Sequence, residues 1–278
     1  MKKVVETLLS WIDEILGSLT MTGEGLTSTI SQGMSGLYTY TATARETLMA
    51  IAYAILALFF LLELVHCVQR TEAAGGGQKL GVEMVVVAMV KMAFCKIIID
   101  NSGLLMEAIY DVIRKVTELL AGNAHGAAVI TETVGTALTG VNFFTCLLYM
   151  VLGVIVLFVV AAVWVLTKLI VALRFIEIYL YLAVAPIPLA TLPSEEWSSV
   201  AKSFLRSFLA VCIQGVLIFL VLSFFPIIIT DPLIQFSIGD GSQLELLGGM
   251  LKALCYSILL GVTLLATTRL ANSIVGAM

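Results

Sequence analysis

Charged residues are scarce in this sequence of 278 residues: Asp, Glu, Lys and Arg make up 12% of it, whereas 60% of the residues are hydrophobic. A soluble domain carries about 25% charged residues, so an ordinary soluble fold is excluded. The net charge of −4 is spread along the chain, which argues against nucleic-acid binding through a large charged patch. The composition predicts an all-α polytopic membrane protein.

Cysteine and histidine are also few. The five cysteines lie far apart in apolar segments without a CxxC pair, and there are two histidines. A disulfide framework or a zinc site is therefore not expected, and no cofactor is predicted. The sequence contains no HExxH, GxSxG or GxxxxGK[ST] motif, so it does not predict an enzyme.

Proline is rare, yet three of the five prolines fall in residues 185–204. Each lacks a backbone donor and disfavours helical geometry in the residue before it, so the preceding helix should stop by about Ala185. Ser194, followed by Glu195 and Glu196, is typical of the start of a new helix. We therefore predict a proline-rich cytoplasmic elbow over residues 185–204.

Long apolar runs predict about five transmembrane helices. A hairpin over residues 48–100 contains crossings at 48–68 and 82–99, and residues 205–278 hold two further crossings. Residues 142–184 are predicted to form one long helix that projects to the cytoplasm, because Gly, Pro, Asn and Asp are absent from Val154 to Val184. Five crossings place the N-terminus outside, the C-terminus in the cytoplasm and most basic residues inside. A six-crossing count, which splits the long helix, fits the charges less well.

Two further regions are amphipathic and are predicted to lie outside the cell. Residues 1–47 combine an amphipathic helix with a loop rich in Gly, Ser and Thr at 20–43, and residues 101–141 form a helical loop that continues to about Thr139. The N-terminal helix is too charged to cross the bilayer. It would lie on the bilayer surface or pack against a neighbouring subunit.

Ionisable residues at membrane depth are costly and should be paired or hydrated. The predicted hairpin turn places Glu63 opposite Val87, within one helical turn of Lys91, which predicts an ion pair between Glu63 and Lys91. The pair would line a conduit or a proton relay, or it would only fix the helix register. The pore or ion-pair candidates are Glu63, His66, Lys91 and Lys96.

Two more sets of residues are candidates for contacts. Small residues recur every four positions in the last crossing and predict a helix-packing or oligomer seam; they are Gly249, Ala253, Ser257 and Gly261. The charged residues around the elbow would bind a cytosolic partner, or they would only set the orientation of the flanking helices in the membrane. The partner-contact candidates there are Arg174, Glu177, Pro186, Pro188, Pro193, Glu195, Glu196, Trp197, Lys202 and Arg206.

The segments IEIYLYLAVAPIPLATLPSEEW and SFLRSFLAVCIQGVLIFLVLSFF resemble the TrbL-type polytopic channel subunit of type IV secretion systems, in the form carried by conjugative elements of Gram-positive bacteria. The resemblance is most specific from Ile176 to Gln214 and is architectural elsewhere. It implies a homo-oligomeric channel or scaffold subunit in the cell membrane for conjugative transfer of DNA or protein. It also implies secretion ATPases on the cytoplasmic side, surface-side channel components as partners, and no cofactor or catalytic residues.

The alternative is a secondary transporter of a small solute that uses Glu63, His66 and Lys91 as its coupling site. Transporters of that kind are commonly built from internal repeats with broken helices at corresponding positions. The sequence has no such repeat, which favours the secretion channel.

Overall fold

The computed structural model describes residues 26–73, 78–121, 143–194, 196–230 and 242–276, together with residues 7, 8, 10–12, 14, 15, 17 and 18. All regular structure in these ranges is helical, which confirms the all-α prediction. The helices are α1 (Ile30–Gly33), α2 (Ser35–Ala73), α3 (Gln78–Asp100), α4 (Ser102–Ala121), α5 (Phe143–Val184), α6 (Pro186–Leu189), α7 (Ser198–Thr230) and α8 (Ser242–Val275).

Four helices in the described part of the chain are long and apolar enough to cross a membrane. The four segments are Ser35–Glu72, Leu147–Val184, Ser198–Phe225 and Met250–Val275. The predicted second crossing, in α3, is not among them because Glu83, Lys91 and Lys96 interrupt it. With 23 residues, α3 is nevertheless about 34 Å long and matches a bilayer core of about 30 Å. The chain is a multi-pass membrane protein, roughly as the count of five predicts.

Helix α5 is continuous over 42 residues, about 63 Å or twice the bilayer core. The division of this segment that a six-crossing count requires is therefore wrong. The helix ends where the prolines predict: the amide of Ala185 donates to the carbonyl of Tyr181 at 3.0 Å, and Pro186 has no amide hydrogen to continue the series.

The predicted loop over residues 20–43 is wrong from Ser35 onwards, because α2 begins there and not near residue 48. Threonine hydroxyls explain the difference. The hydroxyls of Thr39, Thr41, Thr43 and Thr47 each donate to the carbonyl four residues earlier, at 2.7–3.3 Å. These polar side chains are thus satisfied within the helix instead of breaking it.

The helices of the last two crossings, which the apolar runs predict at about residues 204–229 and 249–270, are longer than predicted. The amide of Ser198 donates to the carbonyl of Ser194 at 2.9 Å, the first helical bond of the elbow's exit, and regular helix follows from Ser198. Helix α8 begins at Ser242, not at about Gly249. The predicted helix through Thr139 and residues 231–241, which belong to the segment between the last two predicted crossings, lie outside the described residues, as does part of the predicted N-terminal helix.

The chain divides into two compact units. Unit 1 comprises residues 1–28, 114–174 and 214–271. Its core is apolar, with Ile218 and Leu264 fully buried. Gly153 lies where an added Cβ would be 3.6 Å from Met250 and 3.8 Å from Leu8. Leu8 and Ile12 are buried and Trp11 is exposed, so the described part of the N-terminal segment packs within its own chain.

Unit 2 comprises residues 29–113, 175–213 and 272–278. Helix α2 packs along α3, and the short proline helix α6 packs against both. The hydroxyl of Tyr179 in α5 donates to the carbonyl of Ile30 at 2.7 Å and accepts from the amide of Met34 at 2.9 Å. This side chain therefore fixes both ends of α1 and the entry to α2.

Candidate polar groove and elbow

A groove between α2 and α3 brings four ionisable side chains together. Its volume is about 410 Å³. We call it the hairpin groove; it is lined by Glu63, Cys67, Arg70, Glu83, Met84, Val87, Ala88 and Lys91. Two acids and two bases thus face one cleft, in a hairpin whose outward surfaces carry Leu61, Val65, Val86 and Val90.

The predicted partners Glu63 and Lys91 are adjacent. Lys91 Nζ lies 3.8 Å from Glu63 Oε1, with 43% of the lysine side chain and 12% of the glutamate side chain exposed. The distance is near the outer limit of an ion pair, and the lysine remains partly open to its surroundings. Whether the pair fixes register or serves transport stays a prediction.

The other two ionisable candidates do not join this groove. His66 is half-buried on α2, and Lys96 is exposed on α3; neither lines the groove. Glu83 does line it and was missed by the sequence reasoning. Its signal was available, because Glu83, Val87 and Lys91 follow at four-residue spacing and therefore share one face of α3.

Arg174 is buried in unit 1 with only 4% of its surface exposed. A Cβ on Gly215 of α7 would lie 1.9 Å from Arg174 Cζ, so the guanidinium occupies the space that this glycine leaves. A side chain enclosed in this way offers no surface to a partner protein.

The elbow is divided between buried prolines and exposed polar residues. Pro186 and Pro193 are buried and Pro188 is half-buried, whereas Glu196 and Trp197 are exposed. Glu195 lies outside the described residues. Glu177, Lys202 and Arg206 are exposed as well, so the partner-contact candidates that offer surface are Glu177, Glu196, Trp197, Lys202 and Arg206.

The elbow lies beside the middle of α2. The ring centroids of Trp197 and Phe59 are 6.1 Å apart, and Phe59 is at the centre of the first predicted crossing, 48–68. Because this contact puts both residues at one depth, an elbow beyond the membrane and a crossing centred on Phe59 are incompatible.

The small-residue seam of α8 faces the inside of unit 1. Ala253 and Ser257 are buried, and a Cβ on Gly261 would lie 3.4 Å from Val163 of α5. The Ser257 hydroxyl donates to the carbonyl of Ala253 at 2.7 Å. For Gly249 only the helical backbone is described. The described part of the seam is therefore occupied by contacts within the chain.

The groove and the elbow offer charged and aromatic side chains for binding. Among the described residues, no group of three or more His, Cys, Asp or Glu side chains could hold a metal ion. The hairpin groove offers charges of both signs, and the elbow offers an exposed aromatic ring with two basic side chains. Together the fold and the sites define a multi-pass helical membrane protein with a polar hairpin.

The comparison with protein families makes the assignment more specific. The family described as TrbL/VirB6 plasmid conjugal transfer like protein matches residues 18–186. The chain belongs to this family and is a component of a type IV secretion, or conjugal transfer, system. No significant match was found among curated proteins or solved structures.

The family match overlaps only the beginning of the segment on which the sequence resemblance rested. It ends at residue 186, within the elbow, whereas the resemblance was most specific from Ile176 to Gln214. The hairpin groove lies entirely within the matched region, so the family assignment covers α2 and α3.

Proposed function

We propose that the chain is a channel subunit of a type IV secretion apparatus in the plasma membrane, in which several copies assemble around the path of translocated DNA or protein. The observation that carries this proposal is the hairpin groove, in which four ionisable side chains line a cleft within the region that defines the family. In hydrocarbon an isolated charge costs at least ~2.5 kcal/mol. Charges in such a cleft are therefore retained most readily where water or cargo reaches them.

The exposed surface of α2 supports assembly into a larger complex. Only 11% of its most apolar stretch is buried within the chain, although the helix is long enough to leave the bilayer. Large apolar surfaces of this kind mark contacts with lipid or with other subunits. Neighbouring copies of the hairpin would cover these faces and would bring their polar grooves together around a common path.

The exposed side of the elbow is the proposed contact for the cytosolic secretion ATPases. Lys202 and Arg206 lie one turn apart on α7, and Trp197 leaves 53% of its surface exposed. Aromatic and arginine side chains are enriched in protein interfaces. Surface-side channel components would bind the opposite end of the assembly, and the ATPases would supply the energy, so the subunit itself needs no catalytic residue.

Neutral substitutions in the hairpin groove test this function. The double variant E63Q/K91Q removes one charge of each sign from the groove, so the net charge of the groove is unchanged. We expect the frequency of conjugal transfer to fall by about tenfold or more, equivalent to ~1.4 kcal/mol. The matched controls are Glu46→Gln on α2 and Lys96→Gln on α3, both at exposed positions outside the groove. These controls should transfer normally.

Two outcomes would overturn the proposal. One is an unchanged transfer frequency in the double variant at a normal level of membrane-inserted protein. The other is a purified chain that remains a monomer in native mass spectrometry and moves a small solute across liposome membranes, which is the behaviour of the transporter alternative.

A further inference from the structure

A second cavity, larger than the hairpin groove, lies between α3 and the elbow. Its volume is about 650 Å³, within the range of small-molecule sites. We call it the elbow groove. Its α3 wall is formed by Val86, Val87, Val90, Lys91, Phe94, Cys95 and Ile98, and its elbow wall by Leu192, Pro193, Ser194, Ser198 and Lys202.

The walls of the elbow groove are apolar. Val90 and Phe94 each leave 64% of their surface exposed, which is unfavourable in water but not beside hydrocarbon. Aliphatic and aromatic side chains from α3 face Leu192 and Pro193 across the cleft. A peptide backbone placed along this α3 wall would find few hydrogen-bonding partners, whereas an acyl chain needs none.

The polar residues of the groove are basic or neutral. They are Lys91, Ser194, Ser198 and Lys202, and no acidic residue is among the described residues that line it; Glu195, next to Ser194, lies outside the described residues. Glu63 offsets the charge of Lys91, so Lys202 supplies the remaining positive charge. Glu196, which precedes α7 by two residues, is exposed and does not line the groove. The charge of the site therefore complements an anion.

We propose that the elbow groove binds an anionic phospholipid. One acyl chain lies along Val90 and Phe94, and the headgroup phosphate is held by Lys202 with hydroxyl groups from Ser194 and Ser198. The combination of an apolar cleft and the basic side chain of Lys202 at its elbow wall favours a molecule that is apolar at one end and anionic at the other. This inference goes beyond the secretion role and does not depend on it.

Native mass spectrometry of the full chain tests the inference directly. Protein released from micelles that contain equal amounts of phosphatidylglycerol and phosphatidylcholine with identical acyl chains should retain phosphatidylglycerol preferentially. A parallel sample with inorganic phosphate and no lipid separates the two sources of a phosphate group. We expect no adduct there, because the acyl chain contributes the apolar part of the binding.

Matched variants locate the site. Lys202→Gln should lower the preference for phosphatidylglycerol about fivefold, the effect of one basic residue near an anionic lipid. Arg206→Gln, one turn further along α7 and outside the groove, should leave it unchanged. Val90→Trp should fill the cleft and reduce retention of both lipids. Met89→Trp, at the neighbouring exposed position outside the groove, should have no effect.

Three results would overturn the inference: equal retention of the two lipids by the unmodified chain, an equal loss of preference in the Lys202 and Arg206 variants, or normal lipid retention by Val90→Trp. Circular dichroism of each variant in the same detergent shows whether its helical content is intact. Loss of lipid counts as support only when the helical content is preserved.

Discussion

Helices α7 and α2 are both apolar enough to cross a membrane, but they are buried to very different extents. Half of the most apolar stretch of α7 is buried within the chain, and 44% of that of α8, against 11% for α2. Hydropathy alone does not separate these helices. The difference lies in where each helix places its small and polar side chains.

Polar contacts on α7 and α8 are directed inwards. Gln214 is buried and donates to Thr268 at 3.0 Å, and Ser257 bonds within its own helix, so adjacent helices can approach closely. On α2 and α3 four ionisable side chains instead line an open groove. Much of the apolar surface of α7 and α8 is therefore covered within the chain, whereas most of the apolar stretch of α2 is exposed.

The largest loss of stability is expected from a substitution beside Arg174, whose charged side chain is enclosed in unit 1. Gly215→Ala would bring a Cβ to 1.9 Å from Arg174 Cζ and displace a buried guanidinium. We expect a loss of about 3 kcal/mol in the free energy of unfolding, the upper end for overpacking. Gly153→Ala is the control, because its Cβ would meet Met250 at an ordinary 3.6 Å and should stabilise the helix by up to ~1 kcal/mol. Equal stability in a detergent unfolding titration would contradict this reading of Arg174.

A substitution in the seam of α8 should also act on folding. Ser257 is fully buried, so Ser257→Leu overpacks unit 1 and should cost about 2 kcal/mol. Val262→Leu, at a position with 60% of the side chain exposed, should cost nothing measurable. Unfolding titrations and native mass spectrometry of both variants show whether the seam packs within the chain or contacts another copy. A stable Ser257→Leu subunit that only fails to assemble would show that the seam contacts another copy.

The start of the hairpin should become less stable when the side chain that holds α1 loses its hydrogen bonds. Tyr179→Phe removes the hydroxyl that bonds Ile30 and Met34 and should cost about 1–2 kcal/mol. Hydrogen exchange at the amides of residues 30–34 should accelerate. Tyr181→Phe is the control, because its described contacts are ring contacts with Phe204 and Phe208. Equal exchange in the two variants would mean that Tyr179 does not hold α1.

The sequence predicted those features that depend on neighbouring residues. The proline stop at Ala185 and the continuous helix before it follow from local backbone chemistry, and helical periodicity brought Glu63 within one helical turn of Lys91. Burial of Arg174 could not be predicted in the same way, because it depends on Gly215, which lies far along the chain. The helical start at Ser35 was missed because threonine indicates a loop in water, whereas within a helix it bonds back to its own backbone.

The depth at which the hairpin lies in the membrane also could not be predicted from neighbouring residues alone. An apolar run shows that α2 can cross a membrane, but not which part of its 39 residues does so. The contact between Phe59 and Trp197 links that choice to the position of the elbow, which lies more than a hundred residues later. Only a long-range contact could reveal that the two predicted positions conflict.

The smallest effect on stability is expected at the ion pair between Glu63 and Lys91. Its size shows whether the pair lies in a hydrated groove or in hydrocarbon. Glu63→Gln removes a partner at 3.8 Å from a lysine that is 43% exposed, so in a hydrated groove it should cost less than ~1 kcal/mol. In hydrocarbon the lysine left behind would cost at least ~2.5 kcal/mol. Unfolding titrations of Glu63→Gln and of the exposed control Glu46→Gln in identical micelles should therefore nearly coincide. A loss above ~2 kcal/mol confined to Glu63→Gln would mean that the pair is sealed in hydrocarbon and fixes the helix register. The hairpin would then resemble α7 and α8, whose described polar contacts are enclosed within the chain, and it would no longer be a candidate lining for a conduit.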